Sequence, residues 1–190
     1  MKKIAILLEN IFDEHEVIYP YHRLREDFAV DLIGTKAGTA YMSKAGFELA
    51  SDKASDAVRA DDYAGLFIPG GFSPDYMRRS PATLALVTDI HAQGKPVAAI
   101  CHAGWVLASA LDLTGKTVTS APSIRDDLTH AGATWVDQEV VVDGNLITGR
   151  KPDDLRAVVA AFVKQINLSR PSGAASRGPK GTPSHIIGIG

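Results

Sequence analysis

Gly94-Lys-Pro-Val-Ala-Ala-Ile-Cys101-His-Ala-Gly-Trp105-Val-Leu-Ala-Ser-Ala110 joins a strand to a helix across a single cysteine. Pro96 to Ile100 is a short apolar run opened by Gly94 and Pro96, the pattern of a strand buried on both faces. From His102 onward, Trp105, Val106 and Leu107 alternate with small residues, as in a buried helix. Cys101, the chain's one cysteine, therefore falls at the joint. Its neighbours at −2 and +2, Ala99 and Ala103, are small, as the sharp turn of a nucleophile elbow requires. A thiol there faces the free N–H groups of a helix start, which lower a thiol pKa. Lone cysteines are more often buried and inert. The joint, the small flanks and the adjacent His102 favour a reactive thiolate.

Working outward, Lys3 to Leu8 and Ala29 to Gly34 read as buried strands. Between them Asp13 caps a helix running to about Asp27, with Val17, Ile18, Tyr21, Leu24 and Phe28 inward. Pro20 inside that pattern predicts a kink or a late helix start. Tyr41-Met42 and Phe47 to Ala50 suit a small hairpin, and Asp56 to Ala60 a helical turn. Gly65 to Pro69 is a further buried strand that ends in Gly70-Gly71, and Pro81 to Gln93 is a helix. Downstream, Lys116 to Ser120 reads as a strand and Ser123 to His130 as a helix. Glu139 to Val142 and Asn145 to Thr148 form a hairpin turning at Asp143-Gly144. Pro152 opens a last helix whose stripe is Leu155, Val158, Val159, Phe162, Val163 and Ile166. Strands alternating with helices predict an α/β fold with a mostly parallel sheet covered on both faces.

One domain is expected over residues 1–168, followed by a Ser/Gly/Pro-rich tail over 169–190 that cannot bury a core. Ile186, Ile187 and Ile189 suggest that the tail rests on a neighbouring subunit. A net charge of −2 offers no electrostatic case for nucleic acid or an anionic membrane. A single cysteine excludes an intrachain disulfide and a cysteine-rich zinc site. The opening apolar run stops at Glu9, short of a signal peptide, and no stretch approaches a membrane span. A cytoplasmic protein is expected.

Reactive centres of open α/β sheets gather at the carboxyl ends of the strands. Three such ends are legible: Glu9 with Asp13-Glu14-His15-Glu16, the pair Gly70-Gly71, and Cys101. The N–H groups of Gly71 and His102 would then form an oxyanion hole beside the sulfur. His15, His22, His91, His130 and His185 lack metal-ligand spacing and read as solvated or capping residues. Trp105 and Trp135 read as core, and Asp126-Asp127 and Asp153-Asp154 as partners of helix dipoles.

Four separated motifs carry a resemblance. They are Phe12-Asp-Glu-His-Glu-Val-Ile-Tyr-Pro20, Pro69-Gly-Gly71, Gly94 to His102, and Ala133-Thr-Trp-Val-Asp-Gln-Glu-Val-Val-Val-Asp-Gly144. Over about residues 1–168 the chain resembles the intracellular protease I (PfpI) family, whose wider superfamily includes the parkinsonism-associated deglycase and general stress proteins. The resemblance implies a flavodoxin-like three-layer sandwich, a homodimer or hexamer, and Cys101 as nucleophile with His102 beside it. It matches Glu16 to the helix carboxylate that hydrogen-bonds the sulfur, with Asp13 and Glu14 as nearby competitors. A carboxyl so placed should have a raised pKa and titrate together with the thiol. Asp75 matches an acidic residue donated to the histidine by an adjoining subunit. Protease I itself has Glu there, and Asp is one methylene shorter, which weakens the case for a peptidase.

The function expected is thus a cysteine-dependent hydrolase (peptidase or amidase), or a glyoxalase or protein deglycase acting on 2-oxoaldehydes or their adducts, with a stress-related role. No cofactor or metal is implied. The rival is a non-enzymatic sensor of oxidative stress whose cysteine passes to sulfenic and sulfinic acid.

Overall fold

The computed structural model describes residues 1–169, so the expectation for the tail beyond Ser169 lies outside the described residues. In chain order the elements are β1 (Lys3–Leu7), α1 (Glu14–Arg25), β2 (Ala29–Gly34), β3 (Ala40–Met42), β4 (Glu48–Ala50), β5 (Lys53–Ala54) and β6 (Gly65–Ile68). There follow α2 (Ser73–Met77), α3 (Pro81–Ala92), β7 (Val97–Ile100), α4 (Gly104–Ala110), β8 (Thr117–Val118), α5 (Arg125–His130) and β9 (Thr134–Trp135). The last three are β10 (Val140–Asp143), β11 (Leu146–Gly149) and α6 (Leu155–Leu168).

The main sheet runs β10-β11-β7-β6-β1-β2-β5, parallel throughout except for the edge strand β10. Taken as parallel core strands, β2-β1-β6-β7-β11 is the 2-1-3-4-5 order of a flavodoxin-like sheet, whose switch point lies between β1 and β6. Side chains alternate across the pleat. Ala5, Leu7, Leu66, Ile68, Val97 and Ala99 meet α3, α4 and α5 on one face. Ile4, Ile6, Phe67, Ala98, Ile100 and Ile147 meet α1 and α6 on the other. With both faces covered, these strands have no polar side to show, hence their continuous apolar runs.

Four details differ from the sequence reading. Helix α1 begins at Glu14 and runs through the buried Pro20, because Asp13 caps it by accepting from the N–H groups of His15 and Glu16. The late start is not found. Second, β8 is only two residues long and pairs with β9 in a separate small sheet, a partner too short and too polar in its flanks to show a period. Third, the β10–β11 hairpin pairs Asp143 with Leu146, so its loop is Gly144-Asn145, one residue later than expected. Gly144 supplies the positive φ of +62° there. Fourth, Asp154 does more than meet a helix dipole: it is buried and accepts from the Arg150 guanidinium through both oxygens. No helix among the described residues is long and apolar enough to cross a membrane.

Candidate active site

Cys101 follows β7 directly and adopts φ +60°, a left-handed conformation that costs a non-glycine residue energy. The strain turns the side chain out of the sheet edge. The expected helix is there, but its first turn, Cys101–Ala103, is 3-10, and the α-helical part that follows, α4, has only seven residues.

The backbone N–H groups of His102 and Gly71 are aimed at the sulfur. Gly71 has φ +70° and lies against Phe12, where a Cβ would come within 2.5 Å of the Ile11 carbonyl oxygen and 2.6 Å of the Asp13 nitrogen. Gly70 is crowded by the site itself. A Cβ there would stand 2.6 Å from Glu16 Oε2, 2.8 Å from Cys101 Cβ and 3.0 Å from the Ile100 oxygen. Both glycines are required by the close approach of backbone to nucleophile. Gly70→Ala is accordingly expected to cost about 1–3 kcal/mol in urea unfolding and to displace Glu16. Wild-type stability together with wild-type thiol reactivity would show that this loop yields freely.

Glu16 is the carboxylate at the sulfur, and Asp13 and Glu14 are not. Its side chain is fully buried, with Oε2 accepting from the Gly70 N–H at 2.6 Å. Oε1 has no hydrogen-bond partner among the described residues, and the Cys101 thiol is the group beside the carboxyl. Asp13 is occupied as the cap of α1 and as the ion-pair partner of Lys44 at 2.5 Å. Glu14 accepts from the Ala45 N–H at 2.6 Å. The β3–β4 hairpin is thereby tied down next to the site by Lys44, a residue that nothing in the sequence singled out.

Burial, with the charge of Asp13 next, raises the Glu16 pKa to about 7, as expected for this position. The thiol corrects the sequence expectation. Burial pushes Cys101 up to about 12, the ionised Glu16 adds to the shift, and the two backbone N–H groups work against it. Two negative charges cannot coexist in so dry a pocket, so the pair titrates as a unit and keeps a proton at neutral pH. The sulfur has two backbone N–H donors and the His102 ring nearby, whereas the carboxyl has the single Gly70 N–H. Burial alone would leave the proton on sulfur; the imbalance of donors works the other way, toward a proton on Glu16 and the charge on sulfur.

His102 is half-buried, with Nδ1 3.2 Å from Cys101 Sγ and Nε2 3.0 Å from Ser123 Oγ. Burial, and then the charge of Lys44, lowers its pKa, so the ring is neutral at pH 7. Trp105 is not simply core. It is half-buried, lies edge-to-face on the His102 ring at 5.1 Å, and meets the exposed Phe72 at 6.0 Å. Trp135 does join the core, with Nε1 donating to Ser120 Oγ at 3.0 Å. His91 is half-buried rather than solvated, and its Nε2 has no hydrogen-bond partner among the described residues.

Asp75 lies in α2 and is held by Arg79 one turn later, and it is not among the hydrogen-bond partners of His102 of its own chain. Arg79 also covers the Tyr76 ring at 4.7 Å. Met77 of the same segment is buried in the chain's own core. Ser123 and Lys44 were missed because a lone serine and a turn lysine carry no sequence signal.

The chain is similar to known proteins. A deglycase of Pyrococcus horikoshii is 40% identical over 162 residues, covering 85% of this chain and 98% of that protein. The DJ-1β structure of Drosophila melanogaster superposes with a TM-score of 0.81 at 28% identity, covering 87% of this chain and 90% of that one. A two-domain protein of Anabaena variabilis, containing a DJ-1/ThiJ/PfpI-like and a ferritin-like domain, gives a TM-score of 0.85 at 36% identity. The match covers 93% of this chain and 52% of that one. The DJ-1/PfpI family model matches residues 2–165, and with a strained cysteine on a 2-1-3-4-5 sheet the conclusion is direct: this chain belongs to the DJ-1/PfpI family.

Proposed function

We propose that this protein is a cysteine-dependent enzyme acting on small 2-oxoaldehydes or on the adducts they form with proteins. One observation carries the choice over a peptidase. Among the described residues no carboxylate hydrogen-bonds His102, whose two nitrogens face Cys101 and Ser123. Amide cleavage needs an acid for the departing amine, and a neutral imidazole without a carboxylate partner is a poor one. An aldehyde needs only a thiolate and a group that moves one proton back and forth. The name of the Pyrococcus horikoshii relative, a deglycase, agrees with this choice.

In this scheme the Cys101 thiolate adds to the aldehyde carbon, and the resulting oxyanion sits beside the Gly71 and His102 N–H groups. Glu16 gives its proton to that oxygen. As a carboxylate it then takes the hydrogen of the former aldehyde carbon and returns a proton to the neighbouring carbon. The product is a thioester of a 2-hydroxy acid, which water hydrolyses to regenerate the thiolate. Oxidation of one carbon balances reduction of the other, so no external oxidant or cofactor enters.

The test is turnover of methylglyoxal against a peptide amide by one preparation. A 2-hydroxy acid formed in preference to amide cleavage supports the proposal. Amide cleavage alone would favour the peptidase. Cys101 oxidation without turnover of either would favour the stress-sensor role.

The protein is further proposed to work in the cytoplasm as at least a homodimer, hexamers being the larger alternative, with Phe72, Tyr76 and Arg79 at the subunit boundary. Phe72 is 43% exposed, and aromatic and arginine side chains are enriched at interfaces. If a partner's copy of Asp75 approached His102, Asp75→Asn would lower activity without unfolding the protein. On the present account Asp75→Asn changes kcat/KM less than about threefold, since its carboxylate serves Arg79 on a partly exposed surface. Sedimentation at assay concentration shows whether assembly and activity go together.

A further inference from the structure

We infer that Ser123 is the positioning residue for His102: its hydroxyl donates to Nε2, which fixes the ring proton on Nδ1, facing the Cys101 sulfur. The imidazole spans the gap between the two groups, 3.2 Å from Sγ at one nitrogen and 3.0 Å from Oγ at the other. Ser123 is placed by backbone contacts to the nucleophile itself. The Ala121 N–H donates to the Cys101 carbonyl at 3.1 Å, and the Ile124 N–H closes the 3-10 turn on Ala121 at 3.1 Å. Ala121 and Ile124 are both buried, so the exposed serine between them rides on an anchored turn. Trp105 closes one side of the ring and is itself held by Asp127, which accepts from Nε1 at 2.7 Å. The ring therefore has little freedom to turn away.

The direction of the hydrogen bonds follows from what surrounds the sulfur. Two backbone N–H groups already point at it, so the third neighbour is best as another donor, Nδ1–H. A neutral imidazole then presents Nε2 as a bare acceptor. A serine hydroxyl can donate to that nitrogen, whereas a carboxylate can only accept and would require Nε2–H. Serine as third member keeps the ring neutral and leaves proton transfer to Glu16. A carboxylate would favour imidazolium and acid catalysis by the histidine. The kinetic part rests on the cysteine-nucleophile proposal above; the ring tautomer rests only on a sulfur that accepts.

The experiment is nitrogen-15 spectroscopy of the full chain, labelled at histidine, at a fixed pH where His102 is neutral. Wild type should show Nδ1 protonated and Nε2 bare. Ser123→Ala should move a substantial fraction of the ring to the Nε2–H form, and Ser123→Thr should restore the wild-type pattern. On methylglyoxal, Ser123→Ala should lower kcat about tenfold, the worth of one ordinary hydrogen bond, with KM little changed, and Ser123→Thr should recover it. A wild-type ring protonated on Nε2, or a Ser123→Ala spectrum identical to wild type, would overturn the inference. If the spectra change as expected and the protein turns over no aldehyde, the proposed function fails while the role of Ser123 stands.

Discussion

Cys101→Ser should lower kcat/KM toward methylglyoxal by at least about a thousandfold. The loss should fall in kcat, because the serine fills nearly the same space and leaves the pocket intact. The chemistry explains the size. Glu16, with a pKa near 7, can hold a proton taken from a thiol, but a hydroxyl is too weak an acid to give its proton to that carboxyl. The backbone donors of Gly71 and His102 would still face the site and still find no anion to stabilise. A serine variant retaining more than a tenth of wild-type activity would mean that Cys101 is a bystander. Differential unfolding should show the variant folded, since the chain's other contacts do not involve the sulfur.

A pair of substitutions at Glu16 should separate its two tasks. Glu16→Ala leaves the Gly70 N–H, now bonded at 2.6 Å, without its acceptor in a fully buried spot, and removes the proton carrier. Both alkylation of Cys101 and turnover should collapse, turnover by about 10²–10⁴-fold. Glu16→Gln keeps an oxygen for Gly70 and offers N–H to the sulfur, so alkylation should persist while turnover falls almost as far as in the alanine variant. Equal alkylation in the two variants would remove Glu16 from its place beside the thiol. Stability offers an independent check. The folded pKa of Glu16 is raised from 4.5 to about 7, so its contribution is fully present below pH 4.5 and is lost as pH rises through 7. Wild type should lose on the order of 3 kcal/mol relative to Glu16→Gln across that window.

Much of this was legible in the chain because buried parallel strands carry their own signature. The runs Ile4 to Leu8, Leu66 to Ile68 and Val97 to Ile100 are apolar without alternation, which only a sheet covered on both faces explains. The small flanks of Cys101 and the glycine pair marked the elbow and the close approach that the structure shows. Choosing among Asp13, Glu14 and Glu16 was harder, since all three are acidic and lie within one turn. Three-dimensional partners separate them: a helix cap with a lysine, the Ala45 amide, and the sulfur. The sign of the thiol shift was missed because a helix N-terminus suggested stabilisation of the charge, whereas burial of the thiol raises its pKa. Ser123 left no trace at all. Its position depends on the Ala121–Cys101 backbone bond, and no side-chain pattern encodes that contact.

The central claim is that the donors around Cys101 outweigh the burial of its thiol at neutral pH, so that the pocket stores one proton on Glu16 and the negative charge on Cys101. Infrared spectroscopy at neutral pH tests it directly, because the chain has one cysteine and any S–H stretch belongs to Cys101. The account predicts a carboxylic-acid carbonyl band that vanishes in Glu16→Gln, and no S–H band in the wild type. An S–H band accompanied by an ionised Glu16 would contradict it.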